Sequence, residues 1–271
     1  GANGGNKLPA NGSPCGSVEF KNVSFEYKNA GAEALFDISF FAKPGQTVGI
    51  IGGTGSGKST LVNLVPNFYS ATKGQVLIDG VNADEYDRAA LLSAVSVVPQ
   101  KAVLFEGTIR SNLLMGNPNA SEAELFSALE TAQAAEIVRT KPNGIDEPVL
   151  RGGSNFSGGQ KQRLSIARAL VHGGRILILD DSASALDFAT DAKLRAAIRK
   201  LSPAPTTFIV SQRAASVMFA DFIIVLDEGR AVGQGTHEEL LRNCAVYREI
   251  YASQFPDEAA KLSIPNNTPE G

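Results

Sequence analysis

The sequence predicts an α/β fold with a central parallel β-sheet, and three segments carry this prediction. The apolar run 47–51 leads directly into the glycine-rich segment 52–60, after which a helix begins at Leu61. The aliphatic run 175–179 ends in two aspartates and has the continuous apolar character of a strand buried on both faces of a parallel sheet. The run 206–210 has the same character and predicts a further buried strand.

The segment 52–60 reads Gly-Gly-Thr-Gly-Ser-Gly-Lys-Ser-Thr, the pattern of a phosphate-binding loop between a strand and a helix. Glycines let successive backbone N–H groups curve around a phosphate without Cβ clashes, and the helix start presents further N–H groups to the same anion. Lys58 can reach the β- and γ-phosphates, and the Ser59 hydroxyl can bind Mg²⁺. A glycine-rich turn with a chance lysine is the alternative, which the flanking strand and helix disfavour. The segment therefore predicts binding of a nucleoside triphosphate.

Composition argues against two classes of protein. The net charge of −3 argues against a nucleic-acid partner, because nucleic-acid binders normally carry a basic face. No apolar stretch approaches the roughly 20 residues that span a bilayer, so we expect this fragment to be soluble. Cys15 and Cys244 lack metal-ligand spacing, and we interpret them as free thiols in a reducing cytosol.

The two ends of the chain differ from the rest. Residues 1–16 are rich in Gly, Asn and Pro and are interpreted as a linker or an expression remnant, upstream of which we expect further chain. Residues 253–271 are interpreted as a polar tail. At 271 residues the chain exceeds the usual size of a single core, which predicts one large domain with an appendage or two subdomains.

Periodicity places the remaining elements. Alternating apolar residues over 18–27 and a β-prone run over 34–42 predict a small antiparallel sheet. Further predicted elements are short strands at 74–79 and 93–98, helices at 121–138 and 158–171, a helix capped by Asp187, a hairpin at 222–234 and a final helix after Thr236. About 120 residues separate Lys58 from Asp180, whereas one βαβ crossover needs about 30. We therefore predict a helical subdomain inserted between the phosphate loop and the aspartate strand.

A second glycine-rich motif begins the predicted helix at 158–171. Ser157, Gly158, Gly159 and Gln160 form another pattern for anion binding at a helix start. Taken alone, this pattern could equally be a turn followed by a helix cap with no role in anion binding. Because one triphosphate does not need two such sites in one subunit, we expect two subunits to be arranged head to tail, each supplying one motif to the other.

Together with the strand ending at Asp180-Asp181, these motifs resemble the nucleotide-binding domain of ATP-binding-cassette (ABC) transporters, and most of all the exporter type. The resemblance covers about residues 17–252. It implies a P-loop NTPase fold with a RecA-like core, an N-terminal antiparallel β subdomain and an α-helical subdomain inserted at about 101–171. It also implies two partners at the cytoplasmic face of the cell membrane, a second nucleotide-binding domain and a transmembrane domain.

The resemblance implies ATP and Mg²⁺ as cofactors and assigns roles to individual residues. Tyr27 is expected to stack on adenine, Gln100 to touch Mg²⁺ and sense the membrane domain, and Asp180 to hold Mg²⁺ through water. The expected metal residues are Ser59, Gln100 and Asp180. The residues expected to bind ATP are Tyr27, Gly52, Gly53, Thr54, Gly55, Ser56, Gly57, Lys58, Ser59, Thr60 and Gln100, with Ser157, Gly158, Gly159 and Gln160.

Three positions depart from the family pattern. Asp181 stands where a glutamate normally polarises the attacking water, and its carboxylate lies about 1.5 Å further back, which matters for water alignment. Gln212 stands in place of a switch histidine; it can hydrogen-bond a γ-phosphate but carries no charge at neutral pH. Arg151 replaces a glutamate that usually precedes the signature, which places coupling contacts there in question.

These departures predict the catalytic behaviour. Loss of a well-placed general base typically costs about 10²–10⁴-fold in rate, so we expect slow hydrolysis at the site of Asp181 and Gln212, with intact binding. The motif 157–160 is intact and is expected to complete a competent site on a different chain, as in heterodimeric exporters of multidrug type. The alternatives are a homodimer with two weak sites, a soluble ATP-gated clamp, and a nucleotide-dependent dimerisation module without significant turnover.

Overall fold

The computed structural model describes residues 5–9, 15–28, 31, 33–182 and 184–262, which form a mixed α/β fold with two main sheets. The strands are β1 Val18–Glu26, β2 Glu33–Ala42, β3 Thr47–Gly52, β4 Lys73–Ile78, β5 Val81–Asn82, β6 Val95–Val98, β7 Gly107–Thr108, β8 Pro148–Val149, β9 Ile176–Asp180, β10 Thr206–Ser211, β11 Phe222–Asp227 and β12 Arg230–Gly235. The helices are α1 Lys58–Asn63, α2 Arg88–Ala94, α3 Ile109–Leu114, α4 Glu122–Thr131, α5 Ala135–Arg139, α6 Gly158–His172, α7 Phe188–Arg199, α8 Ala214–Val217, α9 His237–Asn243, α10 Ala245–Gln254 and α11 Pro256–Leu262. Within the described ranges, every helix is too short or too polar to span a bilayer.

The larger sheet has six strands in the order β12-β11-β3-β10-β9-β6. Neighbours from β11 to β6 are parallel, and only the edge strand β12 pairs antiparallel. Val210 on β10 lies opposite both Ile50 on β3 and Asp180 on β9, so the carboxyl ends of these three strands coincide. The predicted parallel sheet is therefore confirmed, and the loops that follow its strands meet at one edge.

Both faces of this sheet are buried. Ile176 and Ile178 of β9 join a core formed with the antiparallel sheet, α1 and α2, whereas Leu177 and Leu179 join a core formed with helices on the other side. Because successive side chains of a strand point to opposite faces, a strand between two apolar layers must be apolar at every position. This explains the uninterrupted aliphatic run that the sequence shows.

The smaller sheet is antiparallel, in the order β2-β1-β4-β5, as the alternating pattern predicts. Phe20 on β1 stacks on Phe40 on β2 with ring centroids 4.5 Å apart. Phe40 also meets Phe208 of the parallel sheet edge to face at 6.3 Å. Aromatic pairs of this geometry contribute beyond their buried area, so this cluster fixes the smaller sheet onto the larger one.

The segment between β6 and β9 is mainly helical, as predicted, and the helical pattern at 121–138 is divided into two helices, α4 and α5. Helix α4 ends at Thr131, where Gln133 adopts a left-handed conformation with φ of 58°. The backbone N–H of Ala134 then donates to Leu129 O at 2.7 Å, which closes the helix end in the manner of a Schellman motif. The strand predicted from residue 93 also begins later, because residues 93 and 94 belong to α2, which the sequence did not predict.

Parts of both predicted terminal extensions lie within secondary structure. Lys7 forms backbone hydrogen bonds with Glu85 and Asp87 at 3.0 and 2.8 Å, and the chain beyond residue 253 continues through the end of α10 into α11. Residues 1–4, 10–14 and 263–271 lie outside the described residues. The linker and tail boundaries therefore stay predictions.

Asp79 connects three parts of the fold. It sits in the Asp-Gly turn between β4 and β5 with φ of 51°, and its carboxylate accepts hydrogen bonds from the backbone N–H groups of Gly16 and Ser17 at 2.6 and 2.8 Å. The other carboxylate oxygen accepts from Arg175 Nε at 2.8 Å, immediately before β9. The Asp79 side chain is 1% exposed, so each of these bonds compensates for its removal from water.

We expect Asp79→Asn to lower the free energy of unfolding by about 2 kcal/mol, because hydrogen bonds to a charged group contribute about 1.5–3 kcal/mol and the amide keeps only some of them. Urea denaturation of the two proteins measures the difference. Asp84→Asn is the matched control, since Asp84 is an exposed acidic residue in the same region. Equal stability of the two variants would contradict this role for Asp79.

Candidate functional site

The predicted phosphate loop follows β3 and has the backbone path that its glycines require. Gly55 and Gly57 have φ of 77° and 101°, a region that L side chains rarely adopt. A Cβ on Gly52 would lie 2.2 Å from Leu226 O. The loop therefore passes close to neighbouring backbone and turns twice through left-handed conformations before α1 begins at Lys58.

Lys58 is folded back into this loop. Its Nζ donates to Gly52 O and Gly53 O at 2.8 and 2.6 Å, and the residue is 9% exposed. Burial lowers the pKa of the Lys58 ammonium, and the carboxylates of Asp181 and Asp180 oppose this shift. The ammonium is thus held by two carbonyl oxygens of the loop and interacts with two acidic groups.

Ser59 and Asp180 are in direct contact. Ser59 Oγ donates to Asp180 Oδ1 at 2.9 Å, although β3 and β9 are separated in the sheet by β10. Burial raises the pKa of Asp180, and Asp181 adds to the shift, whereas the Ser59 hydrogen bond and Lys58 oppose it. A bound cation would favour the charged carboxylate, since nearby positive charge stabilises that form.

The donor set at this point fits Mg²⁺. Hydroxyl and carboxylate oxygens are ligands that Mg²⁺ prefers, and this ion is usually held by one or two protein oxygens plus waters and substrate phosphates. Within the described part of the chain, no cluster of three or more His, Cys, Asp or Glu residues could hold a metal by itself. The Ser59–Asp180 pair therefore suits an ion that arrives with a phosphate ligand.

Asp181 lies one residue beyond the strand end in a left-handed conformation with φ of 45°. Its Oδ2 accepts a hydrogen bond from Gln100 Nε2 at 3.2 Å. Burial raises the pKa of Asp181, against the effects of Gln100, Lys58 and Arg213. Two carboxyls with raised pKa values and a lysine with a lowered one, all interacting electrostatically, are typical of a functional site.

Gln212 follows β10 and reaches the phosphate loop. Its Nε2 lies 3.4 Å from Thr54 Oγ1, a long hydrogen bond from an exposed side chain. Gln212 can therefore reorient toward a ligand at the loop at little cost. The structure thus brings together the predicted residues from four strand ends: the loop 52–60, Gln100, the pair Asp180 and Asp181, and Gln212.

Tyr27 directly follows β1 and forms one wall of the site. Its hydroxyl is 2.8 Å from Thr60 Oγ1, and its ring meets Tyr69 edge to face at a centroid distance of 5.4 Å. The residue is 37% exposed, so part of it stays available to a ligand. Tyr27 lines a cavity of about 520 Å³ together with residues of the phosphate loop, which is large enough for a nucleotide.

The sequence did not predict that Glu33 and Glu228 also line this cavity. Glu228 belongs to the turn between β11 and β12, where Gly229 N donates to Ser56 O at 3.1 Å. A Cβ on Gly229 would lie 2.4 Å from Ala34 O, so this turn also packs directly on β2. The sequence predicted the hairpin that contains Asp-Glu-Gly-Arg, but it did not predict that the hairpin turn lies beside the phosphate loop.

The motif 157–160 forms a capping box at the start of α6. Ser157 Oγ accepts from the Gln160 backbone N–H at 3.2 Å, and Gln160 Oε1 accepts from the Ser157 N–H at 3.0 Å. A Cβ on Gly159 would lie 3.1 Å from Ala185 O, so the loop before α7 packs against this helix start. These contacts do not involve Lys58 or the site residues near it, and the predicted role of the motif toward a second subunit stays a prediction.

Arg151 is exposed in a short 3₁₀ turn before the motif.

Comparison with known proteins identifies the family to which this arrangement corresponds. The family described as ABC transporter matches residues 35–184, more than half of the chain. The chain belongs to the ABC transporter family. An uncharacterised ABC transporter ATP-binding protein of Mycobacterium tuberculosis is 45% identical over 92% of this chain and 43% of its own length. The ATP-dependent lipid A-core flippase of Burkholderia orbicola is 41% identical over 90% of this chain and 41% of its own length.

A solved structure supports the same conclusion for the fold. The structure of a bacterial Atm1-family ABC exporter with ATP bound superposes with a TM-score of 0.85 at 36% identity, covering 93% of this chain and 43% of that chain. Staphylococcus aureus relatives carry the words multidrug export in their names. The predicted family and P-loop NTPase fold are therefore confirmed, and the predicted resemblance to exporters is confirmed by the names of these relatives. The chain spans less than half the length of these relatives.

We expect Gly57→Ala to lower the free energy of unfolding of the nucleotide-free protein by about 2 kcal/mol. A left-handed conformation costs a non-glycine residue about 1–3 kcal/mol, and the new Cβ would lie 2.8 Å from Leu35 Cδ2. Gly53→Ala is the matched control in the same loop, since a Cβ there meets nothing within 4 Å. Urea denaturation of both variants measures the difference, and comparable losses would show that the loop path does not require glycine at 57.

Proposed function

We propose that this chain binds MgATP and serves as the ATP-binding domain of an ABC exporter, coupling ATP binding and hydrolysis to transport at the cytoplasmic face of a membrane. The observation that carries the proposal is the hydrogen bond of 2.9 Å between Ser59 Oγ and Asp180. It joins the end of the phosphate loop to an acidic strand end, where a divalent cation would contact both the protein and a phosphate. Family membership supplies the reaction class.

Lys58 and the loop are suited to hold the triphosphate. A phosphate would replace Gly52 O and Gly53 O as partner of the Lys58 ammonium, because a charged acceptor gives a stronger hydrogen bond than a carbonyl. The backbone N–H groups of 53–57 supply further donors. When bound, Mg²⁺ neutralises negative charge on the phosphates, and Ser59 and Asp180 are the residues that would hold it, with Gln100 nearby.

At this site we expect ATP to bind tightly but to be hydrolysed slowly. Asp181 is the residue expected to orient an attacking water. Its side chain is one methylene shorter than that of the usual glutamate, and one of its carboxylate oxygens already accepts a hydrogen bond from Gln100. Gln212 can donate to a γ-phosphate without adding positive charge to the transition state. The proposal is therefore tight binding with slow hydrolysis at the site built by this chain.

We further propose that the partner domain is a different chain. The motif 157–160 keeps its sequence and a preformed helix start, so it is suited to complete a nucleotide site on another domain. A partner with glutamate and histidine at the two altered positions would then provide the faster site. This asymmetry rests on Asp181 and Gln212.

The proposed membrane-domain partner has a suitable surface beside Gln100. Phe68, Phe105 and Met115 are each about half exposed and line a cavity of about 290 Å³. Large exposed apolar side chains that converge on one cavity indicate a surface that another protein covers. The loop after β6 carries both Gln100 and Phe105, so a partner bound at this cavity could shift Gln100 and its hydrogen bond to Asp181.

We expect Tyr27→Ala to weaken binding of a fluorescent ATP analogue by about 10-fold or more, because base–aromatic stacking contributes about 1–3 kcal/mol. Tyr27→Phe is the matched control: it keeps the ring and loses only the hydroxyl that contacts Thr60. It should bind within about twofold of the parent. If both variants lose affinity equally, the hydroxyl brace and not stacking is what Tyr27 contributes.

We expect the double variant Asp181→Glu, Gln212→His to hydrolyse ATP at least 10-fold faster than the parent, since it restores a longer base and a group that can carry charge. Steady-state phosphate release measures the rate. Adding Lys58→Ala should abolish the gain, which assigns the activity to this site. A double variant no faster than the parent would refute the slow-site account while leaving nucleotide binding untouched.

A further inference from the structure

Arg213 connects the switch position to the loop that joins β9 to α7. Its Nη1 donates to Leu186 O at 2.9 Å and its Nη2 donates to Ser184 O at 2.7 Å. The guanidinium also lies over the ring of Phe188, 5.4 Å from its centroid. One planar side chain thus holds two carbonyl groups and the first residue of α7, a geometry for which the rigid fork of arginine is suited.

The loop that Arg213 holds begins at Asp181. Asp181 adopts φ of 45°, a conformation that a non-glycine residue keeps only when its surroundings impose it. Its N–H donates to Val210 O at 2.9 Å, and Ser184 N donates to Asp181 O at 3.2 Å. A displacement of Ser184 would therefore be transmitted to Asp181 through one hydrogen bond.

The backbone on both sides of Arg213 is fixed from a third direction. Gln254, at the end of α10, donates through Nε2 to Gln212 O at 2.7 Å and accepts from Ala214 N at 2.8 Å. The Arg213 N–H donates to Ser211 Oγ at 3.0 Å. The backbone at Arg213 is therefore held by α10 and by Ser211, while the guanidinium holds the loop before α7.

We propose that Arg213 is a positioning residue for the hydrolytic step, setting the place of Asp181 and of the 184–187 loop relative to the switch residue Gln212. The inference rests on the proposed nucleotide function of this site. Arg213 binds backbone carbonyls instead of the phosphate loop, so its loss should affect alignment for catalysis and leave ATP binding nearly unchanged. Misplacement of a catalytic group by about 1 Å can lower a rate by about 10²-fold.

The test compares Arg213→Ala, Arg213→Lys and Gln254→Leu in the faster Asp181→Glu, Gln212→His background. We expect Arg213→Ala to lower kcat at least 10-fold with KM for ATP within about twofold. Lysine keeps the positive charge and can donate to a carbonyl, but it lacks the rigid planar fork of arginine. Arg213→Lys should therefore recover part of the rate, and Gln254→Leu should show a smaller loss of the same kind. Hydrogen exchange of the amides of 184–188 in the nucleotide-free protein should be about 10-fold faster in Arg213→Ala.

Arg199→Ala is the matched control, because Arg199 also donates to a backbone carbonyl, Phe219 O at 2.7 Å, but lies near the amino ends of the strands, beside Asp221. It should leave kcat, KM and exchange at 184–188 unchanged. A kcat for Arg213→Ala equal to that of Arg199→Ala, or parallel changes in kcat and KM, would overturn the proposal. If Arg213→Ala does not fold, Arg213→Lys decides by the same kcat and KM comparison.

The two proposals can fail separately. If the background itself shows no turnover, the slow-site account fails, and the exchange of amides 184–188 still decides the role of Arg213. Unchanged exchange in Arg213→Ala and Arg213→Lys would overturn that role even if the background hydrolyses ATP rapidly.

Discussion

The parallel pairing of β3, β10, β9 and β6 is the constraint on which the rest of this structure depends. It aligns four strand ends, so that the phosphate loop, Gln212, the two aspartates and Gln100 all begin at one edge of the sheet. The contacts between Ser59 and Asp180, Gln100 and Asp181, and Gln212 and Thr54 follow from this alignment. The two apolar cores pack on both faces of the sheet, so the strand ends that carry the site residues are held in place.

Electrostatics at this edge favour a ligand that brings both signs of charge. Burial disfavours the charged forms of Lys58, Asp180 and Asp181 alike, lowering the pKa of the lysine and raising those of the aspartates. An anionic phosphate would compensate the lysine, and a divalent cation would compensate the carboxylates. A metal–nucleotide complex supplies both at once, which is a physical reason for the cleft to combine these groups.

The family defines the reaction class, while the proposals on rate and symmetry rest on the differences between this chain and the family pattern. Asp181 and Gln212 follow neighbouring strands, and both are tied to elements that the motifs do not include. Arg213 links the switch strand to the loop before α7, and Gln254 links it to α10. These contacts are the basis of the proposal that the geometry at Asp181 depends on α10 as well as on the motifs.

Local and contiguous features of the site were predictable from the sequence. The phosphate loop combines a strand, glycines, a lysine and a helix start within a few residues, and the capping residues Ser121, Asp187 and Thr236 act within one turn. Such features are determined by backbone sterics and short-range hydrogen bonds, so the order of residues suffices. The same local information, together with the second glycine motif, was enough to indicate the family.

Tertiary structure alone decided which distant residues surround these motifs. Glu228 meets the phosphate loop, Gln254 meets the switch, and Gln133 ends a helix that its sequence would continue. Each of these outcomes depends on how sheet and helices pack, because the local conformational preferences of a glutamate or glutamine do not depend on which distant residue it contacts. The sequence by itself determined the chemical groups and the phosphate loop, and the packing of two cores around one parallel sheet decided where every other group of the site lies.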